Sequence, residues 1–457
     1  MITVHRLFSS AVILVRKYKI EISLFLCAFF IRTAYAALIQ AVFGPHVFIS
    51  FSDAEMYLRE AGNLVKHATL SQAITSPFLW PDPLRTIGYP LFLSVFVWLQ
   101  TPLFFIVSVQ NILVGLMAVM TYRLGVVVFE SKRVGIIAGL LFCIEPMSIY
   151  WNNLLMSDTL ASFLFLLSVY LFVSKKYCIS AMVLGFAALT RSVNFYFFPL
   201  FLLMYLYQHR AALFNVATKT PSSDEAVPRA RPWLKALLIS AVFLATISPW
   251  MIRNKLQFGT WQLTSTGWFA IHYFTSSKFA ERHLAPYYWP PIPADYRVDP
   301  GLEAHYRYDF VHVPFYKQYL SRLIQEHPFD YAVFHVASTI KGFDNHDYGY
   351  IMKHVLLAKV PQFNESLGTT LVAIGQSLWF LLYGFLILGF FVKGKRDWQF
   401  FLLSFYLANN LLTGYISTVS AGGRYNLPFL ALTLLLASYG FVSIVKWRRE
   451  SLLVSQR

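Results

Sequence analysis

Charge is what this chain has least of. Asp, Glu, Lys and Arg make up only 13% of its 457 residues, while 57% are hydrophobic; a soluble globular domain carries about 25% charged residues. The deficit excludes an ordinary soluble domain and points to lipid as the solvent. Cysteine is scarcer still. Cys27, Cys143 and Cys178 lie singly in apolar runs, without pairing or metal-ligand spacing, so neither a disulfide framework nor a zinc site is expected. No small-residue cleavage site follows the first apolar run, residues 20–42, which is too long for a signal-peptide core and reads as a retained span. An internal repeat of the kind that symmetric transporters are built on is also missing. The net charge of +16 does not indicate nucleic acid, because the basic residues form short clusters between apolar runs rather than one stripe.

What the sequence has in abundance is apolar runs of bilayer-crossing length. A span needs about 20 such residues, and candidates fall at 20–42, 103–128, 133–152, 157–174, 235–252, 368–392, 398–418 and 427–445. The stretch 178–207 is interrupted at Thr190, Arg191, Ser192 and Asn194, and is either one long span or two short ones. Charge decides. With two crossings, the basic clusters at Arg16, Lys17 and Lys19, at Lys132 and Arg133, at Lys175 and Lys176, and at 210–235, 393–396 and 446–449 share one side, which the positive-inside rule makes cytoplasmic. The expectation is an all-α polytopic membrane protein, one domain over 1–457, with about ten spans and both termini cytoplasmic. Two outer segments remain. The first, 43–102, contains GYPLFLSVFVWLQ, whose 13 residues suit an interfacial or re-entrant helix. The second, 253–367, has an irregular stretch, YYWPPIPADY, and FYKQYLSRLIQEHPFDYAVFHVASTIKGF, which reads as two amphipathic helices broken at Pro328.

On that topology the unusual polar residues fall at the outer surface. Asp53 and Glu55 follow the first span. Asp158, in NNLLMSDTL, begins the fourth. Arg191 sits at the outer turn of the divided segment, Arg253 in SPWMIRNK, and Arg424 in SAGGRYN. An ionisable group deep in a bilayer costs about 2.5 to 3.5 kcal/mol on insertion scales, so such residues mark a site or face water. Each also has a plain structural reading. Ser52 with Glu55 fits a capping box, which makes Asp53 an acid favourable to a helix N-terminus. Asp158 after Ser157 fits a helix start, and the arginines fit interfacial side chains that snorkel. Glu145, before Pro146, is expected to accept a local hydrogen bond. His327 and His346 are expected at the surface, because no second ligand stands at metal spacing. Joint placement on one face, rather than any single residue, favours function.

The same residues carry a family resemblance. The D-x-x-x-Y pattern of Asp53 and Tyr57, followed by RTIGYPLFL at 85–93, resembles the first outer loop of the GT-C glycosyltransferases. The branch it is most similar to is the bacterial one related to dolichyl-phosphate-mannose protein mannosyltransferases and lipid A aminoarabinose transferase. The resemblance continues through LLMSDTLASFLFLLSVYLF, GFAALTRSVNFYFFPLF, ISPWMIRNKLQFGTWQLTSTG, EHPFDY and GGRYNLPFLALTLLLASYG, over most of the chain. It departs at Asp158, where related enzymes often carry Glu, and in the long outer segment. The resemblance implies a GT-C-type bundle in the bacterial inner membrane. Its periplasmic active site would move a sugar from a polyprenyl-phosphate donor to a lipid, glycan or protein acceptor, with inversion. Asp53 is then the expected general base. Asp158 or Glu55 is the second acid, which orients the acceptor or holds a divalent cation such as magnesium or manganese. Arg253 and Arg424 lead as donor-phosphate ligands, with Arg85 and Arg191 behind them, because a guanidinium binds phosphate through two hydrogen bonds and stays charged near lipid. Tyr57, Tyr89 and Tyr425 are the expected substrate contacts. The implied partners are the donor, the acceptor and membrane lipids, not nucleic acid. Rival readings are a transporter or flippase of lipid-linked glycans, an O-antigen polymerase or ligase, and a non-catalytic subunit of the same fold.

Overall fold

Backbone amides in hydrocarbon must be paired within the protein, as helices and closed barrels allow, and apolar runs of about 20 residues suit helices. The computed structural model describes residues 16–73, 80–213, 232–284, 310–344, 365–391, 396–416 and 422–455, and among these it is helical without a strand. The helices are α1 (Lys19–Phe43), α2 (Ser52–His67), α3 (Gly88–Trp98), α4 (Leu103–Phe129), α5 (Lys132–Ile144), α6 (Pro146–Asn152), α7 (Ser157–Val173), α8 (Tyr177–Thr190) and α9 (Phe198–Gln208). They continue as α10 (Pro232–Phe258), α11 (Val313–Glu326), α12 (Pro328–Asp344), α13 (Glu365–Phe391), α14 (Arg396–Ile416) and α15 (Leu430–Ser455). The stretch YYWPPIPADY, the basic linker over 214–231 and His346 lie outside the described residues.

Among the described residues five helices are long and apolar enough to cross a membrane: α1, α4, α10, α13 and the segment Arg424–Ser451 that ends in α15. A sixth is the pair α5 and α6, bent by 55° at Glu145. The described residues therefore form an all-α protein suited to a membrane, with five or six helices among them that meet the test of length and composition. The other expected runs form helices too, but α7 and α8 are only 17 and 14 residues long, and Gln399, Asn409 and Asn410 interrupt the apolar sequence of α14.

The divided stretch resolves into two antiparallel pieces. Asp158 and Arg191 meet where α7 begins and α8 ends. The rings of Phe172 and Tyr177 meet at the opposite end, 5.1 Å apart. From Arg191 the chain turns through a 3-10 segment, Ser192–Phe197, and α9 runs back until Tyr205 lies 4.9 Å from Tyr177. Helix α10 then climbs again, from Lys235 over the Tyr177 ring to Arg253 beside Asp82. Between these helices Phe165 packs edge to face on Phe197, Phe201, Phe405 and Phe429. That cluster fills the bundle interior.

At Pro249 within α10 and at Pro146 between α5 and α6, the carbonyl that loses its amide partner has another donor. Pro249 cannot bond Ala245 O, and the Ser248 hydroxyl donates to it at 3.0 Å. Pro146 cannot bond Phe142 O; Arg32, fully buried within α1, donates to that oxygen at 3.0 Å and to Cys143 O at 2.9 Å. Glu145 accepts from the amides of Met147 and Ser148, which caps α6 as its position before Pro146 leads one to expect. At the end of α1, Gly44 takes φ 79, a conformation that favours glycine, and the chain turns into the 3-10 segment Pro45–Ile49.

The described residues of segment 253–367 contribute a small core of their own. Its first helical stretch, Thr266–His283, has a π-helical middle over Ile271–Ser276, and α11 and α12 break at Pro328 as the sequence predicts. Ile271, Phe279, Tyr319, Leu323, Tyr331 and Phe334 pack together there. His272 stacks on Tyr316 at 4.5 Å, and burial lowers its pKa to about 4, so it is a neutral packing ring. His327 follows α11 as its C-cap, partly exposed.

Close helix approach gives a test of this packing. A Cβ on Gly440 of α15 would strike the Phe385 carbonyl and the Gly389 backbone of α13, whereas one on Gly62 of α2 meets nothing within 4 Å. Gly440→Val is expected to lower stability by about 1–3 kcal/mol through overpacking. Gly62→Ala is expected to raise it by about 0.5–1 kcal/mol. Thermal unfolding of the detergent-solubilised chain checks both; equal melting temperatures for the two variants would contradict the α13–α15 contact.

Candidate active site

Helix α2 starts at Ser52, with Phe51 in extended conformation as its N-cap, so Asp53 lies in the first turn. The 3-10 segment before it is tied to the loop before α7 by Leu155 N donating to Phe48 O at 2.9 Å. The Tyr57 hydroxyl donates to Ser157 Oγ at 2.9 Å. These two bonds bring the start of α2 beside the start of α7, and Asp53 beside Asp158.

Three arginines link the two acids. Arg85 Nη2 donates to Asp53 Oδ1 at 2.9 Å, and Arg424 Nη1 to Asp53 Oδ2 at 3.2 Å. Arg424 Nε donates to Asp158 Oδ2 at 3.0 Å, and Arg191 Nη1 contacts Asp158 Oδ1. The result is an alternating chain, Arg85, Asp53, Arg424, Asp158, Arg191, with one more positive than negative charge. Each end rests on an aromatic ring: Arg85 lies 4.3 Å over Tyr57 and Arg191 5.1 Å over Tyr425. Arg424 lies 5.6 Å from the Trp151 ring. Exposure differs sharply along the chain. Asp158 is completely enclosed, whereas the Asp53 side chain is 34% exposed, so the network opens at Asp53. Burial alone would raise the Asp53 pKa, but the Arg85 and Arg424 guanidiniums outweigh it and hold the carboxylate below its ordinary range.

The sequence-predicted residues divide into two groups. Asp53, Asp158, Arg85, Arg191, Arg424, Tyr57 and Tyr425 come together. Glu55 does not: it is exposed and pairs forward with Arg59 at 3.3 Å. With Phe51 as N-cap, Glu55 falls one position too late for a capping box, and it projects away from Asp53. Tyr89 is fully buried, donates to Gln110 Oε1 at 2.7 Å and packs edge to face on Tyr57, so it backs the site rather than lining it. Arg253 touches neither acid. It lies over Trp250 and donates to Asp82 O at 3.0 Å. Ser265 N and Oγ bond Pro83 O, and the hydroxyls of Thr264 and Thr266 bond Leu84 O. Three successive carbonyls before Arg85 are thus held by the segment 253–266, and Arg253 is part of that clamp.

Sequence reading passed over Glu60, Arg32 and Trp151. Glu60 was detectable, because Asp53, Tyr57 and Glu60 share the i, i+4, i+7 face of a helix. Arg32 was detectable as a charge in the middle of the first apolar run. Trp151 carries no signal, since its place against Arg424 depends on the bend at Glu145.

Among the described residues no group of three or more His, Cys, Asp or Glu could hold a metal. All four oxygens of Asp53 and Asp158 face guanidinium nitrogens. As arranged, the acids do not fit a divalent cation, and the surplus of guanidinium suits an anion. No protein-family model matches the sequence, and no curated protein matches it.

Enclosure predicts unequal roles in stability. Asp158→Asn leaves two guanidiniums against an enclosed neutral group and is expected to cost about 3–5 kcal/mol. Asp53→Asn, at the open end, is expected to cost less. Its lowered pKa makes its contribution present above the ordinary carboxylate range and lost on acidification through the folded value, so the variant should also unfold less steeply in acid. Melting curves in detergent from neutral to acid pH check the order; a smaller loss for Asp158→Asn than for Asp53→Asn would contradict it.

Proposed function

We propose that this chain is a glycosyltransferase of the GT-C kind, moving a sugar from a polyprenyl-phosphate donor to a lipid, glycan or protein acceptor with inversion. In this reading about ten spans cross a bacterial inner membrane, both termini are cytoplasmic, and the site faces the periplasm. The observation that carries it is Arg424 held between Asp53 and Asp158, with Arg85 and Arg191 flanking them. The resemblance in sequence supports the same reading.

Charge accounting gives the mechanism. Three guanidiniums and two carboxylates leave one positive charge, which a donor phosphodiester neutralises. As the donor phosphate competes for Arg424 and Arg85, Asp53 loses part of its pairing and gains basicity. The acceptor hydroxyl oxygen then attacks the anomeric carbon while the bond from that carbon to the phosphate oxygen breaks. The hydroxyl proton passes to Asp53. Transfer of that proton removes the negative charge of Asp53, and the leaving phosphate acquires one. The guanidiniums released by the first are available to the second, which lowers the barrier at the moment charge develops. Asp158, enclosed between Arg191 and Arg424, keeps both arginines aimed while this happens.

Two measurements test the reading. Mass spectrometry of envelope glycolipids and glycoproteins, with and without this protein, is expected to show one missing sugar and an accumulated lipid-phosphate donor. Asp53→Asn is expected to lower transfer by about 10²–10⁴, and Arg424→Lys by about 10²–10³. Unchanged pools in both fractions would overturn the assignment.

A further inference from the structure

Two buried carboxyls not used above, those of Glu60 and Asp82, lie behind Arg85. Glu60 lies on the face of α2 that carries Asp53 and Tyr57, and it is fully enclosed. Arg85 Nε stands 3.5 Å from Glu60 Oε1, while Arg85 Nη2 donates to Asp53 Oδ1 at 2.9 Å. One guanidinium joins an interior carboxyl to the acid at the mouth of the site. Glu60 has Asp82 and Gln72 as its other polar neighbours. Asp82 accepts from Leu84 N and from Gln72 Nε2, each at 2.7 Å.

Charge makes this arrangement untenable with every acid ionised. Glu60, Asp82 and Asp53 would set three negative charges around Arg85; Arg424 shares Asp53 and Arg253 lies at the Asp82 carbonyl, but among the described ion pairs only Arg85 reaches Glu60. Uncompensated charge in an enclosed site is costly. An acid that donates its proton to a neighbouring carboxylate relieves the conflict. Burial, and then the adjacent Asp82, push Glu60 well above the usual carboxylate range against the pull of Arg85.

We propose that Glu60 is a positioning residue for Arg85: it stands as the protonated half of a carboxyl pair with Asp82, so Arg85 rests on it without being neutralised and keeps its charge for Asp53 and the anionic ligand beside it. The inference rests on the anion-binding reading of the site. The titratable and charged groups around the pair are Asp53 and Tyr57 of α2, Asp82 and Arg85 of the following loop, and Arg253 of α10. When Glu60 releases its proton to solvent, a desolvated carboxylate appears on the inner side of Arg85 and competes with the outer one. Ligand binding then weakens as pH rises.

The test uses the full chain in detergent, with a short-chain polyprenyl monophosphate as probe, from about pH 6 to pH 9. Glu60→Gln reproduces the shape of the neutral acid. It is expected to bind within about twofold of wild type at the acid end, and wild type is expected to lose about fivefold more affinity than the variant by the alkaline end. The second ionisation of the probe is common to both proteins and cancels. Without probe, the melting temperature of Glu60→Gln should rise relative to wild type with pH, and that gap should change when Arg85→Met is combined with it. If the Gln variant does not accumulate, Asp82→Asn, which removes the negative neighbour, should move the alkaline loss to lower pH. One shared pH profile in both measurements, or additive effects of the Glu60 and Arg85 changes, overturns the proposal. Absence of probe binding by wild type at every pH, with the melting effects still non-additive, instead overturns the polyprenyl-phosphate reading and upholds the role of Glu60.

Discussion

Arg424 donates to Asp53 with one nitrogen and to Asp158 with another, and the rest of the site depends on that shared guanidinium. Each acid alone would be an awkward guest at the end of an apolar bundle, and each arginine more so. Placed alternately, they offset one another, and the chain of charges opens at Asp53. The five segments that supply them are distant in sequence: the first turn of α2 for Asp53, the loop before α3 for Arg85, the start of α7 for Asp158, the end of α8 for Arg191, and the short helix Gly422–Asn426 for Arg424. Ion pairing here therefore reports on the packing of almost the whole bundle.

A second constraint is the pairing of backbone groups where helices break. The bend at Glu145 and Pro146 aims α6 so that Trp151 reaches Arg424, and the bend is tolerable because Arg32 crosses from α1 to take the freed carbonyls. The same logic holds three carbonyls in a row, at Asp82, Pro83 and Leu84, from the segment that carries Arg253, Thr264, Ser265 and Thr266. Irregular backbone is thus concentrated around the functional side chains, where a polar partner is at hand for each exposed group. The Asp82 to Arg85 loop thereby connects the segment 253–266 to the acid at the mouth of the site.

Much of the candidate site was legible before any coordinates, because charge is rare in this chain and each charged residue near an apolar boundary stands out. Asp53, Asp158, Arg191 and Arg424 could be named for that reason. The residues that stand outside the cluster do so for a common reason. Arg253 sits at the same boundary, but its guanidinium reaches a loop carbonyl rather than a carboxylate, and depth in sequence does not encode direction in space. Glu55 was misplaced by one helical position, enough to turn it outward to Arg59. Tyr89 belongs to the right motif yet spends its hydroxyl on Gln110.

Composition by itself determined that the chain is helical and suited to lipid, since unpaired amides are not tolerated there and apolar runs dominate. The interruption at Thr190 to Asn194 was visible for the same reason. Only the tertiary structure decided that the two pieces run antiparallel, that Arg424 serves both acids, and that Glu60 stands behind Arg85. Those facts depend on which helix faces which, a choice made by ring packing, close glycine contacts and paired charges from segments hundreds of residues apart.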